Sequence, residues 1–275
     1  MGDDNPEVKW AARFAGDGTP LAHAELTGMN SFQWLMARPS APLLLGLDDE
    51  SPIQLASLPP GGVEPEAIEV VSATAGRPGA LVADAGGAVL AAYGAGPPES
   101  AQVVLRALDT GGDLRWLQAL DRPDLPDVFG AVAVPDGWVV MAGDFFAGTM
   151  HLLAVAADDG SALWEAEFAA ADAQGLPRAR EMFLNKNGDH LTIPVLRKPA
   201  GNDAPTTDRT IAVHRVSLQG ETLAVAQLPG AATIAGGRAI QSTIGRCGEL
   251  IVMPQQNADT DAQFGQPLQL SAWTL

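Results

Sequence analysis

The sequence predicts an all-β fold, and three observations support that prediction. Thirty glycines and 21 prolines among 275 residues are typical of a chain with frequent turns. Short runs of alternating apolar and polar residues recur along the chain, as expected of half-buried strands. Several of these runs are joined by tight turns containing Gly and Asp, which favour β-hairpins. At 47% hydrophobic residues, the chain can also form a sizeable core.

A first kind of hairpin occurs four times. Each copy has an alternating apolar strand, a polar turn, and a second strand in which one residue stands four places before an apolar one. These copies are 43–58, 103–120, 152–168 and 211–228. Because Trp116 and Trp164 occupy the same position of two copies, we expect both side chains to serve packing. The Ala and Glu content of 162–174 favours a helix, but its place in the repeat predicts a strand.

A fifth copy of this hairpin is divided between the two ends of the chain. Residues 268–275 match its first strand, and residues 9–14, which include Trp10, match its second strand. Measured around the circle through Gln54, Trp116, Trp164, Ala224 and Trp10, the intervals are 62, 48, 60, 61 and 44 residues. Five units therefore account for the whole chain.

A second kind of hairpin alternates with the first. Alternating apolar residues lead into a Gly- or Asn-containing turn and then into a strongly apolar strand, at 82–90, 133–141, 183–193, 244–253 and, more weakly, 26–36. Two hairpins per unit make a four-stranded antiparallel sheet. Five such sheets predict a five-bladed β-propeller spanning residues 1–275 as a single domain, closed by pairing of the N- and C-terminal strands.

Two of the hairpins carry a family resemblance. The segments ALDTGGDLRW (107–116) and AADDGSALW (156–164) resemble the quinoprotein-like and delta-60-type repeats of bacterial β-propellers. The resemblance implies a propeller fold and no particular chemistry. Quinone-dependent dehydrogenases of that superfamily usually have more blades, a calcium site and a stacked Trp in the pocket. This sequence does not reproduce that constellation, so we expect no cofactor.

Charge and residue types exclude several classes of function. Sixteen basic against 33 acidic residues leave a net charge of −17, which argues against nucleic acid as a partner. A single cysteine, Cys247, excludes an internal disulfide and a multi-cysteine metal site. The run 257–261 places oxygen ligands at alternate positions but departs from the calcium-loop pattern further on. We therefore expect no metal site and no catalytic residue.

The longer connections between hairpins are the predicted binding surface. They comprise residues 59–79, 93–102, 143–151, 194–210 and 254–266, which the propeller topology places on one face. The candidate ligand-binding residues are Tyr93, Asp144, Phe145, Phe146 and Glu181. The two phenylalanines are of particular interest because they stand where a loop begins after a buried strand.

These features favour a non-catalytic binding scaffold over an enzyme. We expect a monomer that binds a protein partner, of basic charge, or a small extracellular ligand through the long-loop face. A glycan-active propeller is the alternative, since Asp144 and Glu181 are acids of the kind that such a site uses. A structural module of a larger assembly is a second alternative.

The N-terminus bears on the location of the protein. Residues 1–7 resemble the polar tether that follows the lipidated cysteine of a bacterial lipoprotein, with Met1 in the place of that cysteine. This interpretation predicts a periplasmic or cell-surface protein. An ordinary cytoplasmic N-terminus is the alternative. The sequence has no apolar stretch long enough to span a bilayer.

Overall fold

The computed structural model consists of β-strands and tight turns. It describes residues 10–25, 31–36, 43–47, 52–57, 67–97, 100–144, 147–169, 176–178, 185–198, 210–228, 243–244, 250–255 and 269–274. Within these ranges there is no helix with the length and hydropathy to cross a membrane. The all-β prediction is confirmed.

Twenty-one strands are present in the described ranges. They are β1 (Trp10–Phe14), β2 (Pro20–Glu25), β3 (Ser31–Met36), β4 (Leu43–Leu47), β5 (Pro52–Ser57), β6 (Ala67–Ala83), β7 (Val89–Ala95), β8 (Gln102–Leu108), β9 (Leu114–Ala119), β10 (Asp127–Val134), β11 (Gly137–Asp144), β12 (Thr149–Ala156), β13 (Ala162–Ala169), β14 (Leu176–Arg178), β15 (Asn185–Asn187), β16 (His190–Lys198), β17 (Thr210–Ser217), β18 (Thr222–Leu228), β19 (Thr243–Ile244), β20 (Leu250–Gln255) and β21 (Gln269–Thr274).

These strands form antiparallel sheets in chain order. One sheet has four strands, β10-β11-β12-β13, and another has the order β14-β16-β17-β18 with β15 also paired to β16. A seven-stranded sheet runs from β3 to β9 because the 17-residue β6 pairs with β5 along its first half and with β7 along its second. The remaining strands form the pair β1-β2 and the sheet β19-β20-β21.

Eight of the predicted hairpins are confirmed by strand pairing. The first kind corresponds to β4-β5, β8-β9, β12-β13 and β17-β18, and the second kind to β6-β7, β10-β11, β15-β16 and β19-β20. The segment at 162–169 is strand rather than helix. The weak hairpin at 26–36 is not confirmed, since β2 pairs with β1, β3 pairs with β4, and residues 26–30 lie outside the described ranges.

The predicted closure of the ring is not confirmed either. In the described part of the chain, β1 pairs with β2, and β21 pairs with β20. The connection expected at 59–79 was wrong over most of its length, because residues 67–79 belong to β6. Gly79 occupies an irregularity where the register of β6 against β7 shifts, and such a bulge accommodates the neighbouring Pro78.

The contacts divide the chain into two compact units, Met1–Val128 with Asp158–Gly160 and Phe129–Ala157 with Ser161–Leu275. Each unit has its own core. In the first, Ile53, Leu55, Leu81, Val89, Ala91, Tyr93 and Leu108 pack together. In the second, the core is formed by Val139, Met141, Met150, Leu152, Ala154, Leu191, Ile193, Val195 and Val216.

The repeated tryptophans serve packing, as predicted. The ring of Trp116 lies against Gly160, and the ring of Trp164 lies against Gly220. Both glycines have positive φ (74° and 90°) and belong to hairpin turns of the first kind. Trp138 is fully buried in β11. The side chains of Trp10 and Trp34 lie outside the described part of the structure.

Candidate functional site

The sheet β6 to β9 has two chemically different ends. Its hairpin turns, at 84–88 and 109–113, lie at one end, and the connections 96–101 and 120–126 lie at the other, because antiparallel strands alternate in direction. We call these the turn end and the connection end. The connection end corresponds to the predicted binding face.

The turn end is fixed by side-chain to backbone hydrogen bonds. Asp109 Oδ1 accepts hydrogen bonds from the backbone N–H groups of Gly111, Gly112 and Asp113, at 2.8, 2.8 and 2.9 Å. The bond from Asp113 contributes most to lowering the pKa of the Asp109 carboxyl below its ordinary value. Asp84 Oδ1 accepts from the N–H of Ala88 at 2.9 Å in the neighbouring turn.

The connection end carries an ion pair between the first strands of two successive hairpins. Arg77 of β6 binds Asp127, the first residue of β10, through Nη1 and Oδ1. The Asp127 side chain is buried, whereas the Arg77 side chain is 44% exposed. The pair therefore presents a partly exposed guanidinium that is held in place from below. Sequence reasoning missed it, because the partners are 50 residues apart.

The connection 120–126 is anchored rather than projecting freely. Leu125 is fully buried, and Arg122 forms two hydrogen bonds to the Asp124 carboxylate, at 2.9 and 2.7 Å. The carbonyl of Pro126 approaches Gly94 so closely that a Cβ there would lie 2.4 Å from its oxygen. The backbone at this position thus requires a glycine in β7.

Tyr93, a predicted ligand-binding residue, lies in β7 within the core of the first unit. Its side chain is 1% exposed, and its hydroxyl donates a hydrogen bond to the Val71 carbonyl at 3.1 Å. Burial raises the pKa of Tyr93 above its ordinary value, and the nearby charge of Arg106 opposes that shift. Any contribution of Tyr93 to binding would therefore be indirect.

Asp144, a second predicted residue, ends β11 in the second unit. Its Oδ1 accepts a hydrogen bond from the N–H of Ala147 at 2.9 Å, and its carbonyl accepts one from Gly148 at 2.8 Å. Asp144 pairs with Thr149 of β12, so the connection is four residues long. The carboxylate shapes this short turn. Phe145, Phe146 and Glu181 lie outside the described residues.

Two ionic clusters that the sequence did not reveal lie on the sheets themselves. Arg106 of β8 donates from Nη2 to Glu69 Oε1 at 2.6 Å. In the second unit, His151 Nδ1 lies 2.8 Å from Glu165 Oε1, and its Nε2 lies 4.0 Å from Glu167 Oε2. The only signal in the sequence was a charged residue within an alternating strand. In the described part of the chain, no group of three or more His, Cys, Asp or Glu side chains is arranged to hold a metal ion.

Comparison with solved structures bears on the fold. The chain is similar to the quinohemoprotein alcohol dehydrogenase ADHIIG from Pseudomonas putida HK5, with a TM-score of 0.55, 11% identity, and coverage of 86% of this chain and 46% of that one. It spans about half the length of that protein. It is also similar to the GH43 endo-arabinanase from Bacillus licheniformis, with a TM-score of 0.45, 12% identity, and coverage of 87% and 91%. No family model and no curated protein matches the sequence. The first likeness supports a propeller-type arrangement of antiparallel sheets.

Proposed function

We propose that this chain is a non-catalytic binding scaffold that captures a basic protein partner through the connection end of its sheets. The proposal includes a single five-bladed propeller closed by its terminal strands, because five repeat units account for every residue of the sequence. Its main support is the distribution of charge on an anchored surface.

The charge argument starts from the basic residues. Four arginines of the described part each pair with a carboxylate: Arg77, Arg106, Arg115 and Arg122. Because 33 acidic residues face only 16 basic ones, such pairing leaves many carboxylates in excess. A surface with that excess speeds the approach of a basic partner and repels nucleic acid.

The second support is the rigidity of the connection end. The buried Leu125 and the Arg77–Asp127 ion pair hold the connection 120–126 against the sheet. A surface held in its binding conformation loses less conformational entropy when a partner docks. Anchored connections therefore favour recognition of a protein surface.

Two charge reversals at opposite ends of β9 test the proposal. Asp113 precedes the strand at the turn end and Asp121 follows it at the connection end, roughly 20 Å of strand apart, and both are exposed. Asp113→Lys and Asp121→Lys change the net charge equally, so they differ only in location. Each variant and the parent chain would be immobilised and exposed to an extract of the native host.

We expect proteins retained at 0.1 M salt and released at 1 M, where the Debye length falls from about 10 Å to about 3 Å. Asp121→Lys should weaken retention and Asp113→Lys should not. Absence of a retained protein at low salt, or equal losses in both variants, would contradict the proposal.

We also propose a periplasmic or cell-surface location, which the tether-like composition of residues 1–7 supports. Cell fractionation of the native host with an antibody against the chain tests this directly. Recovery in the cytoplasmic fraction would overturn it.

A further inference from the structure

The outer edge of β18 differs from the rest of the molecule. In the sheet order β14-β16-β17-β18, β18 is the last strand, and among the described residues it pairs only with β17. Its backbone N–H and C=O groups on the other edge can therefore pair with a further strand. The residues at the start of β18 are exposed, with Leu223 at 56% and Val225 at 51%.

The corresponding strands of two other sheets carry charged residues. β9 contains Arg115, and β13 contains Glu165 and Glu167. Charged side chains are a usual protection of sheet edges against pairing with another chain. β18, with the sequence TLAVAQL, contains no charged residue and no proline. Its composition is that of a segment suited to strand pairing.

We propose that β18 pairs antiparallel with β18 of a second copy of this chain, about a two-fold axis at Val225. In this register Val225 faces Val225 of the second copy, and Ala224 faces Ala226 of the second copy. The pairing uses the free edge of both copies, so it closes as a dimer and does not continue into a fibre. It replaces the expectation of a monomer, which rested on the sequence alone.

Charge favours a second copy as the occupant of this edge. Two chains of net charge −17 repel each other, so contact is least unfavourable through a segment without charge. Thr222–Leu228 is such a segment, and pairing it with itself places no like charges opposite each other. Salt screens the repulsion between the two bodies and should strengthen the dimer. Binding of a basic partner has the opposite salt dependence, which separates this inference from the proposed function.

Analytical ultracentrifugation of the full chain tests the dimer, with Val225→Lys as the probe and Leu117→Lys as its matched control. Leu117 of β9 is 55% exposed and faces Arg106 of β8 as Val225 faces His214 of β17. Val225→Lys places two ammonium groups opposite each other, so we expect the dimer dissociation constant to rise at least about tenfold. Leu117→Lys should leave it unchanged.

Thiol cross-linking tests the register and does not require Val225→Lys to fold. Directly opposed residues of an antiparallel pair lie within the Cα separation that a disulfide spans. Val225→Cys should therefore form a covalent dimer on mild oxidation, while Leu117→Cys and the parent chain, which both retain Cys247, should not. A parent chain that remains monomeric up to about 100 μM at about 1 M salt, a dimer that Leu117→Lys weakens equally, or no covalent dimer of the Val225→Cys variant would each overturn the proposal.

Discussion

The indole Nε1 of Trp164 donates a hydrogen bond to the carbonyl oxygen of Leu218 at a distance of 2.9 Å. Trp164 belongs to the outer strand of one sheet, and Leu218 belongs to the β17-β18 turn of another sheet in the same unit. The indole also lies against Gly220 of that turn, and Trp116 makes the equivalent ring contact with Gly160. The repeated tryptophan thus fixes the outer strand of one repeat to a turn of the next.

This contact predicts a specific requirement for glycine at position 220. An ideal Cβ there would lie 2.7 Å from the Trp164 ring, and φ is +90°. At Gly188, φ is +64° but a Cβ would meet no atom within 4 Å. Gly188→Ala therefore bears only the backbone cost, about 1 kcal/mol, and Gly220→Ala bears about 1–3 kcal/mol more for displacing the ring.

Chemical denaturation of both variants measures these costs as free energies of unfolding. Equal destabilisation by Gly220→Ala and Gly188→Ala would show that the Trp164 contact contributes nothing.

The single tyrosine of the chain predicts a limit to alkaline stability. Burial raises the pKa of Tyr93 in the folded state above the value near 10 of the unfolded chain. The unfolded state then loses its proton first, so the contribution of neutral Tyr93 to stability is complete below about pH 10 and declines as pH rises toward its folded pKa.

Tyrosinate absorbance reports this residue alone, because no other tyrosine is present. We expect the native titration to lie above that of the same chain in denaturant. A native midpoint equal to the denatured one would contradict the buried position of Tyr93.

The Arg77–Asp127 pair predicts a measurable coupling energy. Asp127 is buried, so neutralising Arg77 leaves a carboxylate with weaker compensation in the core. Because Arg77 is itself 44% exposed, we expect a coupling of about 1–2 kcal/mol in a double-mutant cycle of Arg77→Gln and Asp127→Asn.

The pair Arg115–Asp158, whose carboxylate is almost fully exposed, is the matched control, and its coupling should stay below about 0.5 kcal/mol. Couplings of the same size in both cycles would contradict an anchoring role of the Arg77–Asp127 pair.

Local pattern was sufficient to predict most hairpins. In 103–120, alternation defines two strands, and the Asp109 carboxylate with the positive φ of Gly112 defines the turn between them. The shared position of Trp116 and Trp164 likewise predicted a shared packing role. These features depend on residues close in sequence, which is why the sequence contains them.

Features that depend on distant contacts could not be predicted in this way. Gly76, Pro78 and Gly79 are typical of a loop, yet they lie in β6, because Val128 and the Ala92 carbonyl approach Gly79 closely enough to exclude any larger residue. Tyr93 was expected at the start of a loop, but β7 continues to Ala95 and buries it. The partner of Arg77 is set by the fold and by no nearby residue.

Closure of the ring is the central claim, and the distance between the terminal strands tests it most directly. Spin labels at Ala12→Cys in β1 and Ser271→Cys in β21, with Cys247 replaced by Ser, give that distance by electron–electron double resonance. Labels at Gln255 and Gln269, which face each other in the paired strands β20 and β21, provide the reference. The account predicts one narrow distance within about one strand spacing, roughly 5 Å, of the reference. A distance more than about 15 Å longer, three strand spacings, would contradict closure by the terminal strands.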